Sequence, residues 1–304
     1  MSPDPADDPA ATPRCESPQE IAELLRGERY LADEGLATAI YLALELSVPL
    51  LLEGEPGVGK TEVAKALAAA TGRRLVRLQC YEGIDSAAAL YEWDYARQLL
   101  HLRAVADTGR PAEDELFSPR YLLERPLLSA LRAGDRAVLL IDEVDRSDDA
   151  FEAFLLELLS DFQITIPELG TVAASSPPVV LLTSNRTREL HDALRRRCLY
   201  HWIEYPAQAR EVQIVAARAP GLPLSLLREV SAVVGRLRTL DLYKAPGISE
   251  TITWARALAA LGLTRLDAGP AAATTLGAVL KDQQDIDTVS GMFSSLVADA
   301  ACHD

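Results

Sequence analysis

The sequence predicts an α/β fold: a parallel sheet covered by helices, followed by a smaller all-helical domain. Continuous apolar runs, the mark of strands buried on both faces, alternate with segments of helical spacing. Two of these runs, "AVLLIDEVD" (137–145) and "PVVLLTSN" (178–185), end in acids or an amide and read as central strands. After Pro206 no further long strand is visible, and the breaks "APGLP" and "APGIS" divide the remainder into helices. The pattern divides the chain into a tail over residues 1–17, an α/β domain over 18–207 and a helical domain over 208–304.

The elements follow in order. "MSPDPADDPAATPRCESP" is rich in Pro, Asp, Ala and Ser and has no apolar period, so it has little to bury against the entropy of being ordered. "EGLATAIYLALELS" (34–47) has helical spacing and good helix formers, and "VPLLLEG" after it is a short buried strand ending in glycine. "TEVAKALAAATG" is a helix stopped by Gly72, and "RLVRLQC" (74–80) is a strand. A long segment follows, helical in its second half and closed by Gly109 and Pro111. "FQITIPELGTVAASSPP" alternates apolar and polar residues around Glu168, Leu169 and Gly170, which predicts a hairpin. "LYHWIEYP" (199–206) is a fifth strand.

Composition limits what this fold does. Thirty Lys and Arg stand against forty-five Asp and Glu, a net charge of −15, which opposes broad binding to nucleic-acid phosphates. Cys15, Cys80, Cys198 and Cys302 are far apart with no C-x-x-C pair, so neither a zinc site nor a disulfide framework is expected. An N-terminal apolar h-region and an apolar run of membrane-spanning length are both missing, which predicts a cytoplasmic chain without membrane insertion.

The chemistry is concentrated at three strand ends. "GEPGVGKT", Gly54 to Thr61, fits G-x-x-x-x-G-K-[ST] between an apolar strand and a helix. Glycines there let backbone N–H groups curl around phosphate oxygens, Lys60 reaches the outer phosphates, and Thr61 offers a hydroxyl to Mg²⁺. Glu55, Pro56, Gly57, Val58, Gly59, Lys60, Thr61 and Glu62 are therefore the candidate phosphate-binding set; the competing explanation is a plain glycine-rich turn. In "LLIDEVDR" an apolar strand carries Asp142, a Mg²⁺ ligand through water, and Glu143, which polarises the attacking water. Asp145 and Arg146 stand close enough to pair with each other or face solvent. Asn185, ending "TSN", can hydrogen-bond both that water and a phosphate oxygen, or else cap a following helix. Together these residues predict a nucleoside triphosphatase.

These stretches resemble the AAA+ ATPases, and within them the MoxR branch. "PLLLEGEPGVGKTEVAKALA", "LIDEVDRSDDAFEAFLLELL" and "LLTSNRTREL" carry the likeness, and "QCYEGIDSAAALYEWDYARQLL" narrows it to MoxR-type ATPases encoded with carbon monoxide dehydrogenase maturation genes. The resemblance implies a P-loop AAA+ domain with a helical lid, ATP and Mg²⁺ as cofactors, and a homo-hexamer. It also implies a partner with a von Willebrand factor A domain and chaperone-like activation of a client protein or metalloenzyme. A slow-hydrolysing switch or scaffold is the alternative, and a DNA-associated AAA+ protein is disfavoured by charge. In such rings an arginine after the Asn185 strand reaches a neighbour's γ-phosphate. Aligning "HDALRRRC" with the family's L-x-x-R-F ending gives that place to Arg197, then Arg196, leaving Arg195 a surface residue. Cation placement at a helix end is the competing explanation for the cluster.

Tyr30 and Leu31 match the part of the family that packs on adenine, or are plain core. The resemblance implies that residues 84–120 are a helix insertion and "FQITIPELGTVAA" a hairpin, both facing the pore or upper surface of a ring; an ordinary surface loop is the competing explanation. Tyr91, Trp93 and Tyr95 fit core better than contact. The chain departs from the family at the lid arginine, where Thr251 stands; Lys244 and Arg256 are the candidates to substitute for it, though neither follows from spacing.

Overall fold

A computed structural model describes residues 15–105 and 116–301. Most of the expected tail, residues 106–115 of the long middle segment and Cys302 lie outside the described residues. The chain forms two compact units: one runs through Glu28, Ala32–Glu53 and Thr61–His201, and the other gathers Arg29–Leu31, Gly54–Lys60 and the chain from Trp202 onward. Three separate stretches of sequence thus build the second unit.

The α/β unit is organised by a five-stranded sheet. Its strands are β1 (Leu50–Gly54), β2 (Arg74–Gln79), β5 (Ala137–Asp142), β8 (Val179–Ser184) and β9 (Leu199–Ile203), in the order β2-β5-β8-β1-β9. β2, β5, β8 and β1 pair in parallel. Every residue of β5 is buried and five of the six in β8 are, which is why both read as unbroken apolar runs. Edge strand β2 instead alternates, with Val76 and Leu78 buried and Arg77 and Gln79 exposed. Parallel register sets Gln79 opposite Asp142. That pairing carries a polar side chain of β2 to the end of β5.

Local signals fix the helices. Asp33 accepts the Leu36 amide at 2.7 Å and starts the helix Glu34–Leu46, which Ser47 ends in a left-handed conformation. Asp148 accepts the Phe151 amide at 2.8 Å and starts Asp149–Asp161. Leu139, Ile141, Val180 and Leu182 pack with Leu127, Leu131, Leu155 and Leu158 in one core. Truncating Leu139 to Ala there would cost roughly 2–5 kcal/mol.

Two small ribbons complete the unit. β6 (Gln163–Ile166) and β7 (Gly170–Ala173) form the expected antiparallel hairpin, and β3 (Tyr91–Trp93) pairs with β4 (Leu122–Glu124) inside the long middle segment. Trp93 is buried edge-on against Phe117, whereas Tyr95 is 65% exposed.

The C-terminal part of the other unit is helical, with Gln208–Arg218, Leu224–Leu237, Ile248–Ala260 and Gln283–Ala301 as its longer members. They enclose a separate core of Val230, Val233, Val234, Trp254, Leu258 and Phe293. The indole of Trp254 donates to Thr275 Oγ1 at 2.7 Å, so even its one polar atom is satisfied. Among the described residues no helix is long and apolar enough to cross a membrane.

Candidate active site

In the α/β unit, β5 delivers the acids. Asp142 is 2% exposed, and its Oδ1 accepts the Thr61 hydroxyl at 3.0 Å and the Thr183 hydroxyl at 2.5 Å. Its Oδ2 accepts Arg77 Nη2 at 2.6 Å and Nε at 3.0 Å, so a guanidinium balances the buried charge. Thr183 also accepts the Glu143 amide at 2.9 Å, tying both acids to β8. Carboxylate and hydroxyl oxygens so placed are the hard ligands that suit Mg²⁺, and Thr61 and Asp142 fit it. Among the described residues no group of three or more His, Cys, Asp or Glu could hold a metal ion by itself.

Glu143 has a left-handed backbone, at φ 55° and ψ 50°. Its carboxylate accepts Gln79 Nε2 at 3.0 Å and lies 3.6 Å from Arg146 Nη1. Cys80, beside this group, has its thiol pushed up to about 12 by burial and then by the surrounding acids. It stays protonated and unreactive.

Asp145 neither pairs with Arg146 nor faces solvent, the two alternatives its sequence context offered. It is 2% exposed and accepts the Asn185 amide at 3.2 Å, the Thr187 amide at 2.8 Å and the Thr187 hydroxyl at 2.7 Å. Asn185 caps no helix; the next one, Asp192–Arg196, is capped by His191. Arg186 follows in a left-handed conformation and reaches within 3.8 Å of Glu53, which is 3% exposed and accepts the Tyr200 hydroxyl at 3.1 Å. Burial and the Glu53 carboxylate hold that phenol above its ordinary range, so it remains a donor.

The three arginines differ. The Arg195 guanidinium lies 5.8 Å from the centre of the Tyr200 ring, a contact within the chain. Arg196 and Arg197 are exposed and have no side-chain partner among the described residues. Their helix has only five residues, a weak source of dipole.

In the other unit the glycine-rich loop has its own supports. Gly57 and Gly59 have φ of 78° and 99°, values that side chains resist. The Lys60 ammonium donates to the carbonyls of Gly54 at 2.7 Å and Glu55 at 2.8 Å, and Val58 is buried. The Pro56 carbonyl accepts the Tyr205 hydroxyl at 3.1 Å, and the Gly57 carbonyl accepts the Ile248 amide at 2.9 Å. Tyr30 lies beside Gly59, 3.8 Å from where a Cβ would stand, and the Leu31 carbonyl accepts Arg210 Nη2 at 3.1 Å. Back in the α/β unit, Glu62 in the first turn of Lys60–Ala70 pairs with Lys65 at 2.6 Å.

Thr251 is fully buried and donates to Glu211 at 2.7 Å. The Lys244 amide is held by Asp285, and Arg256 Nη2 donates to the Arg218 carbonyl at 2.6 Å. Sequence alone missed Arg77, Gln79, Thr183, Tyr205 and Arg238. Only the alternation of "RLVRLQ" and the single hydroxyl breaking "VVLLT" signalled any of them.

A parallel sheet, a strand–glycine loop–helix junction and a threonine bonded to the aspartate that ends β5 are the marks of a P-loop ATPase of the AAA+ class. A family profile described as AAA domain (dynein-related subfamily) matches residues 49–198. Protein NorQ of Paracoccus denitrificans (strain Pd 1222) is 27% identical over 225 residues, spanning 72% of this chain and 74% of that protein. The profile match and the likeness to NorQ support an AAA+ ATPase of the MoxR type. Two solved structures share the fold: a RuvB point mutant of Thermotoga maritima (TM-score 0.50, 16% identity, 95% of this chain and 86% of that one) and a protein of Cytophaga hutchinsonii (0.50, 18%, 90% and 84%).

Proposed function

We propose that the chain hydrolyses ATP with Mg²⁺ at boundaries between copies in a hexameric ring, and that the cycle remodels or activates a partner protein. The single observation that carries this is the Thr61–Asp142–Thr183 cluster with Glu143 beside it. The amides of Gly57, Val58 and Gly59 and the Lys60 ammonium hold the phosphates, with Glu55, Pro56 and Glu62 flanking them. Tyr30 and Leu31 flank the base. Thr61 and Asp142 hold Mg²⁺, which when bound offsets charge that develops on the transferred phosphoryl group. Glu143 takes a proton from the attacking water, and Asn185 orients that water.

Arg197 of a neighbouring copy meets the γ-phosphate, with Arg196 as the second candidate. Their exposure and lack of an internal partner support that assignment, whereas Arg195 is engaged with Tyr200. By the resemblance in its motifs, the ring works in the cytoplasm with a von Willebrand factor A-type partner on a client such as a metalloenzyme.

One observation favours the slow-hydrolysing switch as a second reading: Gln79 occupies the Glu143 carboxylate at 3.0 Å, so the base is engaged within the chain. Turnover of the wild type and of Glu143→Gln, measured beside client activation, separates the two. The remodelling reading expects both to collapse in the variant. Undetectable wild-type turnover, with client effects unchanged in the variant, would overturn it.

A further inference from the structure

Thr251 stands where a lid arginine is expected, and in the unit that contains the glycine loop a different arginine connects the C-terminal helices to that loop. Arg238, at the end of helix Leu224–Leu237, is 9% exposed by its side chain and pairs with the 1% exposed Glu211 through Nη1 at 2.7 Å and Nη2 at 2.8 Å. Its Nε donates to the Pro246 carbonyl at 2.7 Å, immediately before Gly247. Its guanidinium lies 4.3 Å from the centre of the Tyr205 ring. One planar cation thus fixes both the ring and the turn.

Both continue to the glycine loop. Tyr205 donates to the Pro56 carbonyl, and Ile248, just after Gly247, donates to the Gly57 carbonyl. In a trans peptide the C=O and N–H point in opposite directions, so holding those two carbonyls aims the amides of Gly57 and Val58 away from Tyr205 and Ile248. Gly57 and Gly247 also touch backbone to backbone: a Cβ on Gly247 would stand 2.6 Å from Gly57 Cα. Gly247 has φ of −84°, which any residue adopts, so this approach is what requires glycine there. Burial pushes the Tyr205 phenol up, so the hydroxyl keeps the proton it donates.

We propose that Arg238 is a positioning residue: without touching nucleotide, it holds Tyr205 and the Pro246–Gly247 turn so that the loop amides of Gly57 and Val58 are preorganised for phosphate. This rests on the assignment of Gly54–Thr61 as the ATP site. The lid's influence then runs through the loop backbone rather than through a charge on the γ-phosphate.

Affinity for a fluorescent ATP analogue, ATP KM and kcat, and the melting temperature without nucleotide test this in the full chain. Tyr205→Phe keeps the ring and loses one hydrogen bond, so affinity falls about fivefold while kcat and melting temperature stay near wild type. Gly247→Ala weakens binding more. Arg238→Lys weakens it too, and adding Tyr205→Phe to Arg238→Lys changes little. Wild-type affinity in Tyr205→Phe and Gly247→Ala would overturn the role of Arg238 alone, as would losses that merely track melting temperature. A wild type that does not bind the analogue, or Lys60→Ala binding it equally, would overturn the ATP site itself and this role with it.

Discussion

The Thr61 hydroxyl donates to Asp142 Oδ1 at 3.0 Å, joining the residue after the phosphate-loop lysine to the acid that ends β5 across 81 positions of sequence. Arg77 bonds the other oxygen of the same carboxylate. Asp142→Asn removes the charge that both surround. Turnover should drop at least tenfold, with half-maximal Mg²⁺ shifted upward, in a titration of activity against Mg²⁺ at saturating ATP. An unchanged Mg²⁺ profile would remove Asp142 from the metal set.

Arg197→Ala should depress turnover by about 10³-fold, the scale of an arginine supplied to a phosphoryl-transfer site, with analogue binding nearly intact. Arg195→Ala should stay near wild type, since its guanidinium rests on Tyr200. Mixing Arg197→Ala with Glu143→Gln should restore part of the activity, because each copy supplies what the other lacks. Equal loss from Arg195→Ala would move the γ-phosphate contact to a different arginine.

Asp145→Ala should lower kcat while ATP KM stays within about twofold, because it frees the Asn185 loop rather than the phosphate loop. Stability should fall by about 1–3 kcal/mol for the donors of Asn185 and Thr187 left unsatisfied. Chemical denaturation measures the second effect and steady-state kinetics the first. A purely structural role would lower stability without the selective loss of kcat.

His201 sits half-buried on β9 beside Gly35, and burial lowers its pKa from 6.5, with the Asp33 charge partly opposing that shift. The folded state therefore favours the neutral ring. Above pH 6.5 folded and unfolded chains are alike in this group; as pH falls below 6.5 the unfolded chain takes the proton first and stability is lost. The melting temperature should decline between pH 7 and 5, and His201→Gln should flatten that decline.

The central strands were legible because burial on both faces leaves a continuous apolar signature, and the phosphate loop because its glycines, lysine and threonine must occur at fixed spacing. Asp142, Glu143 and Asn185 follow from standing at the ends of such strands. Arg77 and Gln79 were not legible as neighbours of the acids, since only the β2–β5 register brings them there. Asp145 looked like half of a local pair because short spacing suggests one, whereas its partners lie 40 and 42 residues onward. Tyr205 and Arg238 carry no motif, and their meaning depends on contacts with Pro56 and Pro246.

Glu143 occupies a backbone conformation that costs an ordinary side chain about 1–2 kcal/mol and that asparagine tolerates well. Durability and chemistry therefore pull this position in opposite directions. Glu143→Asn should melt at or above the wild-type temperature while hydrolysing no ATP, whereas Glu143→Gln should lose activity without that gain. Thermal melts of the three proteins decide it, and a lower melting temperature for Glu143→Asn would show that the side chain's own contacts outweigh the strain. Selection for heat resistance alone, in a library varied at this codon, would then recover inactive chains.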